Sequence, residues 1–266
     1  MSTPEVSEPV VIVEKSDGIF TMTLNRPGSL NAISSDMAVQ FSAALFAFEA
    51  DPDSHVAIVT GTGRAFCAGV DLKAIAAGDP VDIPEHPEWG MLGFSERFVA
   101  KPVIAAVNGL ALGAGTELML ACDLAILSEA AFLGLPEVTR GIFPGGGGAI
   151  RLPRQMPMRV AMRYLLTGDR MSADEALRWG LVNDVVPAED LLPTARALAI
   201  KIASNAPLSV QTTKKLAYQA WALDTEWDAA VWQANLDANH RMMATADAKE
   251  GPAAFAEKRT PRWTGA

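Results

Sequence analysis

The sequence has few of the residues that build metal centres and disulfides. Its 266 residues include two cysteines and three histidines. Cys67 and Cys122 do not form a Cys-x-x-Cys pair, so neither a disulfide framework nor a zinc site is expected. The histidines at positions 55, 86 and 240 show no metal-ligand spacing. We therefore expect no metal, and we interpret both cysteines as small hydrophobic residues of the core.

Basic residues are also scarce, since the sequence has 22 Lys and Arg residues but 31 Asp and Glu residues. The net charge of −9 argues against nucleic acid or an anionic membrane as the main partner, although a few local cations could still bind an anionic ligand. No apolar run reaches the length of a transmembrane helix, and the first residues, MSTPEVSEPV, lack a basic stretch followed by an apolar one. These absences predict a cytoplasmic protein without a secretory signal.

Apolar residues are plentiful, at 50% hydrophobic against 20% charged, so a large core is expected. Short apolar runs at 55–60, 101–109 and 122–128 are typical of buried strands, and helical segments lie between them. This alternation predicts right-handed crossovers and a parallel sheet. After about residue 190, helical periodicity dominates. The predicted organisation is an α/β core over residues 1–190 and a helical region over 191–266.

The stretch NGLALGAGTELMLACD, residues 108–123, places a carboxylate just after small residues at the start of a predicted helix. Residues 109–112 are interpreted as a connection, and the helix is expected to begin near Gly113 or Ala114. The first N–H groups of a helix have no internal partner, and small residues let a ligand oxygen approach them. The stretch therefore suits an oxyanion hole with Glu117 beside it. Alternatively, the small residues serve only strand–helix packing and Glu117 only complements the helix dipole.

A similar turn occurs in TGTGRAFCAGVDL, residues 60–72, which follows one predicted strand and leads into a helix expected near Asp71. It lacks the third glycine of a dinucleotide-binding fingerprint and the Lys-Ser/Thr of a phosphate-binding loop. The residues that would offer their backbone here are Ala68, Gly69 and Val70. Because turns at successive strand ends converge at the carboxyl edge of a parallel sheet, one N–H from each turn would form a two-donor site.

A second carboxylate, Glu137, directly follows Pro136 in FLGLPEVTRGIFPGGGGAI. Because proline blocks a helix immediately before it, we predict that Glu137 lies on an extended or turn segment. The glycine run at residues 145–148 is predicted to be a loop ahead of a helix, with a structural rather than a phosphate-binding role. Two carboxyls near one oxyanion site repel each other when both are ionised, so they can divide the roles of acid and base.

Six motifs in their order and spacing resemble the enoyl-CoA hydratase/isomerase, or crotonase, superfamily over roughly residues 10–263. They are LNRPGSLNAIS, GRAFCAGVDLKAI, KPVIAAVNGLALGAGTELMLACDLAI, LPEVTRGIFPGGGG, LLTGDRMSADEALRWGLVNDVV and KEGPAAFAEKRTPRW. The resemblance implies a crotonase-like α/β fold of stacked ββα units, with a C-terminal helical region for oligomerisation and site capping. It implies a homotrimer or homohexamer, an acyl-CoA thioester substrate, and no cofactor beyond the coenzyme A of that substrate.

By motif position, the resemblance also implies roles for individual residues. The oxyanion donors would be the backbone N–H groups of Val70 and Ala114, where Ala114 replaces a glycine common in hydratases of the family. The catalytic acids would be Glu117 and Glu137. Coenzyme A contacts are expected at Arg26, Ala68, Asp71, Leu72, Lys73, Phe255 and Lys258, and the last two would reach the nucleotide across a subunit boundary. The acyl pocket is expected to include Trp89, Met91, Phe94 and Phe143.

Simpler explanations exist for several of these positions. A lone cation such as Arg26, Lys73 or Lys258 can be an ordinary solvated surface residue. Likewise, an ordinary amphipathic helix would account for Trp89, Met91 and Phe94.

The activity implied by the resemblance is that of a 2-enoyl-CoA hydratase, which adds water across the double bond of an enoyl-CoA thioester, as in fatty acid β-oxidation. An enoyl-CoA delta-isomerase is an alternative. Isomerases of the superfamily typically need only the acid at the position of Glu137, so Glu117 favours hydration, but hydratases can also isomerise and related enzymes reuse both acids. A carnitinyl-CoA-type hydratase is an alternative, since CAGVDLKAIAAGDP and HPEWG resemble that branch. A non-catalytic acyl-CoA- or RNA-binding scaffold is a further alternative, which the acidic charge and the glutamate pair disfavour.

Overall fold

Two β-sheets form the centre of the protein in a computed structural model that describes residues 9–71, 81, 83, 85–222 and 229–266. The larger sheet has six strands in the order β1 (Val11–Ser16), β2 (Ile19–Leu24), β3 (Val56–Gly61), β5 (Val103–Val107), β7 (Leu124–Ser128) and β10 (Asp184–Val186). The smaller sheet has four strands in the order β4 (Ala65–Cys67), β6 (Leu110–Leu112), β8 (Phe132–Gly134) and β9 (Arg170–Ser172). Within these sheets, β1 with β2 and β8 with β9 pair antiparallel, and the other neighbours pair parallel.

Helices cover the sheets. In the described part of the chain they are α1 (Ser35–Ala50), α2 (Ala114–Ala121), α3 (Gly148–Gln155), α4 (Met158–Thr167), α5 (Ala173–Arg178), α6 (Leu191–Ala203), α7 (Pro207–Ala222), α8 (Ala229–Met243) and α9 (Ala246–Glu257). Short 3₁₀ helices occupy Pro27–Ser29, Pro87–Trp89, Pro136–Arg140 and Ala188–Asp190. The predicted mixture of helices with parallel strands is confirmed.

The chain alternates between the two sheets in a repeated unit. β3 leads to β4, β5 to β6 and β7 to β8, each through a short turn, and α2 follows β6 directly. The interpretation of residues 109–112 as a connection is wrong, because Leu110–Leu112 form β6. A strand of three residues is too short to show a period, and it forms here because it pairs with β4 and β8. The helix expected near Asp71 would fall on residues 72–80, outside the described part of the chain.

The core lies on both faces of the larger sheet. On one face its side chains pack with α1 and with the smaller sheet around Phe20, Phe41, Phe48 and Phe66, which are fully buried. On the other face Ile58 and its neighbours pack against α6. Strands buried on both faces read as continuous apolar runs, which is why β3, β5 and β7 were predictable.

The elements described after residue 190 are all helices. Asp123, next to β7, attaches α7 to the core by accepting hydrogen bonds from Lys214 Nζ at 2.6 Å and from the Tyr218 hydroxyl at 3.0 Å. The part played by this region in oligomerisation and site capping stays a prediction. No helix in the described ranges combines the length and the hydrophobicity of a membrane span.

Candidate active site

Two turns meet at the carboxyl ends of β4 and β6. Since these strands are parallel neighbours, the turns that follow Cys67 and Leu112 emerge side by side. A Cβ atom on Gly69 would lie 2.9 Å from the carbonyl oxygen of Leu112, and one on Gly115 would lie 2.1 Å from the carbonyl oxygen of Cys67. Any side chain at these two positions would push the turns apart, so glycine is what lets them touch.

The backbone N–H groups of Val70, on the first turn, and of Ala114, on the second, have no acceptor among the described residues. Beside Val70, the carbonyl of Gly69 accepts from the Ile33 N–H at 2.8 Å, and the Asp71 N–H donates to the Ile33 carbonyl at 2.9 Å. Ala114 is the first residue of α2, where an N–H has no partner within the helix. Both residues line one cavity, and the two-donor arrangement stays a prediction.

The cavity has a volume of about 560 Å³ and contains both predicted acids. Glu117 and Glu137 line it together with the two turns. Apolar walls come from Met91, Ile142 and Phe143. This size and this mixture of apolar walls with a few polar groups are typical of small-molecule sites.

Glu117 is held in the cavity by the glycine run. It lies one turn into α2, it is 3% exposed, and its Oε1 accepts a hydrogen bond from the Gly148 N–H at 2.9 Å. A Cβ on Gly146 would lie 2.8 Å from Glu117 Oε2, so the loop closes around the carboxylate. Burial raises the pKa of Glu117, while hydrogen bonds from the loop and the charge of Arg151 act in the opposite direction. The glycine run therefore contacts a predicted acid.

Glu137 lies in a different setting from Glu117. It belongs to the 3₁₀ helix Pro136–Arg140, so the expected extended or turn conformation is corrected to a helical turn. Pro136 begins this helix, which proline tolerates because the first N–H would have no partner. Glu137 Oε2 is buried without a hydrogen-bond partner in the described structure. Burial, with a smaller contribution from the Glu117 charge, raises the pKa of Glu137 to about 7.

The chemistry available in this cavity follows from these four groups. Two N–H donors can stabilise an oxygen that gains negative charge. A carboxyl with a pKa near 7 can accept or donate a proton at neutral pH, and a second carboxyl lies in the same cavity to transfer another. Among the described residues no cluster of His, Cys, Asp and Glu could hold a metal ion.

Comparison with known proteins gives the same family. The family model for enoyl-CoA hydratase/isomerase matches residues 14–266. The chain belongs to this family. It is 43% identical over 250 residues to a carnitinyl-CoA dehydratase of Proteus mirabilis (strain HI4320). The matched region covers 93% of this chain and 95% of the relative.

Solved structures of the family superpose on this chain. An enoyl-CoA hydratase from Mycobacterium tuberculosis H37Rv has a TM-score of 0.91 at 42% identity, over 97% of this chain and all of that one. A carnitinyl-CoA hydratase from Mycobacterium avium has a TM-score of 0.78 at 44% identity, over 98% of this chain and 100% of that one. The crotonase-like fold predicted from the motifs is confirmed.

The residues assigned to coenzyme A are only partly gathered at the cavity. Ala68 lines it, whereas the Arg26 guanidinium forms an ion pair with Asp71 at 3.2 Å. Arg26 also donates to the Ala32 carbonyl, so its charge is engaged within the loop it belongs to. Leu72 and Lys73 lie outside the described residues.

The two C-terminal residues with the same assignment lie at the end of α9. Phe255 is 87% exposed, and Lys258 follows the helix in a left-handed conformation with φ of 54°. Neither is among the residues that line the cavity of this chain. A contact across a subunit boundary stays a prediction for both.

The four residues predicted for the acyl pocket divide into two pairs. Met91 and Phe143 line the cavity. Phe94 instead is a core residue, 3% exposed, with its ring 6.1 Å from that of Phe41. Trp89 stacks on His86 with ring centroids 3.5 Å apart. The sequence does not reveal which side of this segment faces the substrate.

Several residues at the cavity were not anticipated. Ser95, Glu96 and Arg140 line it, and Arg151 lies behind the glycine run. Their sequence signal is weak, because each is a single polar residue without a motif partner. Arg151 contacts Ser95, which is 56 positions away in the chain, so only the fold reveals the pair.

The raised pKa of Glu137 predicts a pH dependence of stability. Its value of about 7 in the folded protein exceeds the ordinary 4.5, so the folded state binds the proton more tightly. This stabilisation is complete below about pH 4.5 and is lost as the pH rises through about 7. Glu137→Gln removes the ionisation. The melting temperature of the variant minus that of the original protein should therefore be more positive at pH 8 than at pH 5. Thermal melts at the two pH values measure this difference.

The exposed Glu129 offers a matched control. Glu129→Gln makes the same chemical change outside the cavity and should shift the melting temperature equally at both pH values. A Glu137→Gln effect that does not depend on pH would show that Glu137 is already ionised at pH 5.

Proposed function

We propose that this protein is a 2-enoyl-CoA hydratase that adds water across the double bond conjugated to the thioester. The observation that carries the proposal is the meeting of two unpartnered N–H groups, at Val70 and Ala114, with Glu117 and Glu137 in one cavity. We further propose that the reaction needs no cofactor beyond the coenzyme A of its substrate. The names of the family and of its relatives support the assignment.

In the proposed reaction the thioester oxygen accepts hydrogen bonds from the Val70 and Ala114 N–H groups. A water oxygen forms a bond to C3 while a glutamate takes one of its protons. The electron pair of the C2=C3 bond moves toward the thioester, and the resulting enolate oxygen is stabilised by the two donors. A glutamate then delivers a proton to C2, which completes the addition of water.

The two glutamates suit these proton transfers because their surroundings differ. Glu117 accepts a hydrogen bond from the Gly148 N–H, which fixes its orientation. Glu137 keeps an oxygen without a partner among the described residues and has a pKa near 7, which favours exchange of a proton with substrate or water. Both carboxyl groups line the same cavity, so a group is already in place for each transfer.

A second candidate is hydration of a cationic acyl group, as the names of the carnitinyl-CoA relatives suggest. The observation that favours it is Glu96, whose side chain carries a carboxylate and which lines the same cavity. A carboxylate there would attract a positively charged acyl terminus and would do nothing for an apolar one. The chemistry at Glu117 and Glu137 would be the same for both substrates.

Loss of absorbance of the conjugated enoyl thioester tests the proposal. The original protein, Glu117→Gln and Glu137→Gln are each assayed with short-chain, medium-chain and carnitine-derived 2-enoyl-CoA substrates. Each variant should lose roughly 10²–10⁴-fold in turnover, the usual contribution of a general acid or base, while acyl-CoA binding persists.

Glu129→Gln again serves as the control and should retain full turnover. Near-normal turnover in both active-site variants would overturn the assignment of the acids. Activity of Glu117→Gln on a 3-enoyl-CoA would support an isomerase instead. Binding of acyl-CoA without any turnover by the original protein would support a non-catalytic scaffold.

We also propose that the protein assembles as a homotrimer or homohexamer. Large apolar side chains remain exposed in the single chain on α3, α4 and the C-terminal helices, among them Ile150, Leu166, Leu236, Met243 and Phe255. An exposed apolar surface of this kind is typical of subunit contacts. Light scattering coupled to gel filtration should therefore give three or six times the 28.2 kDa mass of the chain. A fully active monomer at micromolar concentration would contradict the proposal.

A further inference from the structure

Arg151 is a half-buried cation with no part in the reaction described above. It lies on α3, immediately after the glycine run. Its Nη1 donates to the Gly146 carbonyl at 3.3 Å, and its Nη2 donates to the Ser95 carbonyl. A guanidinium that binds two carbonyl oxygens can fix the distance between the segments that carry them, because its donors form a rigid planar fork.

The two carbonyls belong to adjoining walls of the cavity, since a Cβ on Gly146 would lie 3.3 Å from Met91 Cε. Gly146 and Ser95 both line it, one from the glycine run and one from the segment that also contributes Met91. Arg151 therefore bridges these walls from outside the substrate space. The bridge is close-fitting, since a Cβ on Gly147 would lie 2.0 Å from Arg151 Nη1. Only glycine at position 147, with φ of 106°, leaves room for the guanidinium.

The same loop orients a predicted acid. The Gly148 N–H donates to Glu117 Oε1 at 2.9 Å, and Gly146 packs against Glu117 Oε2. Arg151 holds the same loop through the Gly146 carbonyl. A shift of the loop would move the N–H that fixes the carboxylate, and misplacement of a catalytic group by about 1 Å can cost on the order of 10²-fold in rate.

We propose that Arg151 is a positioning residue that fixes the glycine run against the Ser95 wall and thereby orients the Glu117 carboxylate for the reaction. This inference rests on the proposed function. It predicts that the guanidinium fork, and not only its charge, is required.

The experiment compares Arg151→Met, Arg151→Lys and a matched control, Arg154→Met, in the full chain. Arg154 lies on the same helix, is exposed, and donates to the Trp221 carbonyl. Arg151→Met should lower kcat by roughly 10²-fold with KM changed by less than about threefold, because substrate contacts remain while Glu117 is misplaced. Arg151→Lys keeps the charge but replaces the rigid planar fork with a shorter, flexible side chain, so it should still lose about tenfold in kcat. Arg154→Met should keep normal kinetics.

Amide hydrogen exchange provides a readout that does not depend on turnover. Protection of the Gly148 amide should fall at least about tenfold in Arg151→Met and stay normal in Arg154→Met, since only the first releases the loop. Unchanged protection in Arg151→Met, or a kcat for Arg151→Lys equal to that of the original protein, would overturn the inference. Inactivity of the original protein would refute the proposed function alone, and the exchange measurement would still decide the role of Arg151.

Discussion

The close contact between the turn after β4 and the first residues of α2 is the constraint on which the site depends. A single methyl group at Gly115 would lie 2.1 Å from the carbonyl oxygen of Cys67, so the two segments could not approach as they do. This contact brings the N–H groups of Val70 and Ala114 to the same cavity. The donors belong to the backbone, and their placement therefore comes from strand pairing and glycine rather than from any side chain.

The second feature of the site is that two similar carboxyls have different surroundings. Glu117 is enclosed by the glycine run, whose N–H groups and the nearby Arg151 oppose the effect of burial on its pKa. Glu137 has only a backbone hydrogen bond to oppose burial, and its pKa is raised to about 7. An environment that separates two carboxyls in this way allows one cavity to accept a proton at one step and to donate one at another.

Local patterns predicted the parts of the site that lie close together in the chain. One short stretch contains both Glu117 and the turn before it. Small residues at the start of a helix let a ligand oxygen approach its first N–H groups, so this stretch could be interpreted without the fold. The three-residue strands β4 and β6 escaped prediction, because they form only through pairing with each other and with β8. The contact of Gly148 with Glu117 spans 31 positions and could not be read from either segment alone. Trp89 was expected in the acyl pocket, but its ring stacks on His86. Whether this ring faces the cavity is determined by tertiary packing and not by the local sequence.

The central claim is that the Ala114 N–H binds the thioester oxygen, and substitution of this one residue tests it most directly. Ala114→Pro removes the N–H at a helix position that tolerates proline, whereas Ala114→Gly keeps it. Turnover of a 2-enoyl-CoA, measured beside thermal stability, should fall by roughly 10²–10³-fold in the proline variant alone, the usual cost of one lost oxyanion donor. A folded proline variant with normal turnover would contradict the account and would leave the small residues before Glu117 a role in packing only.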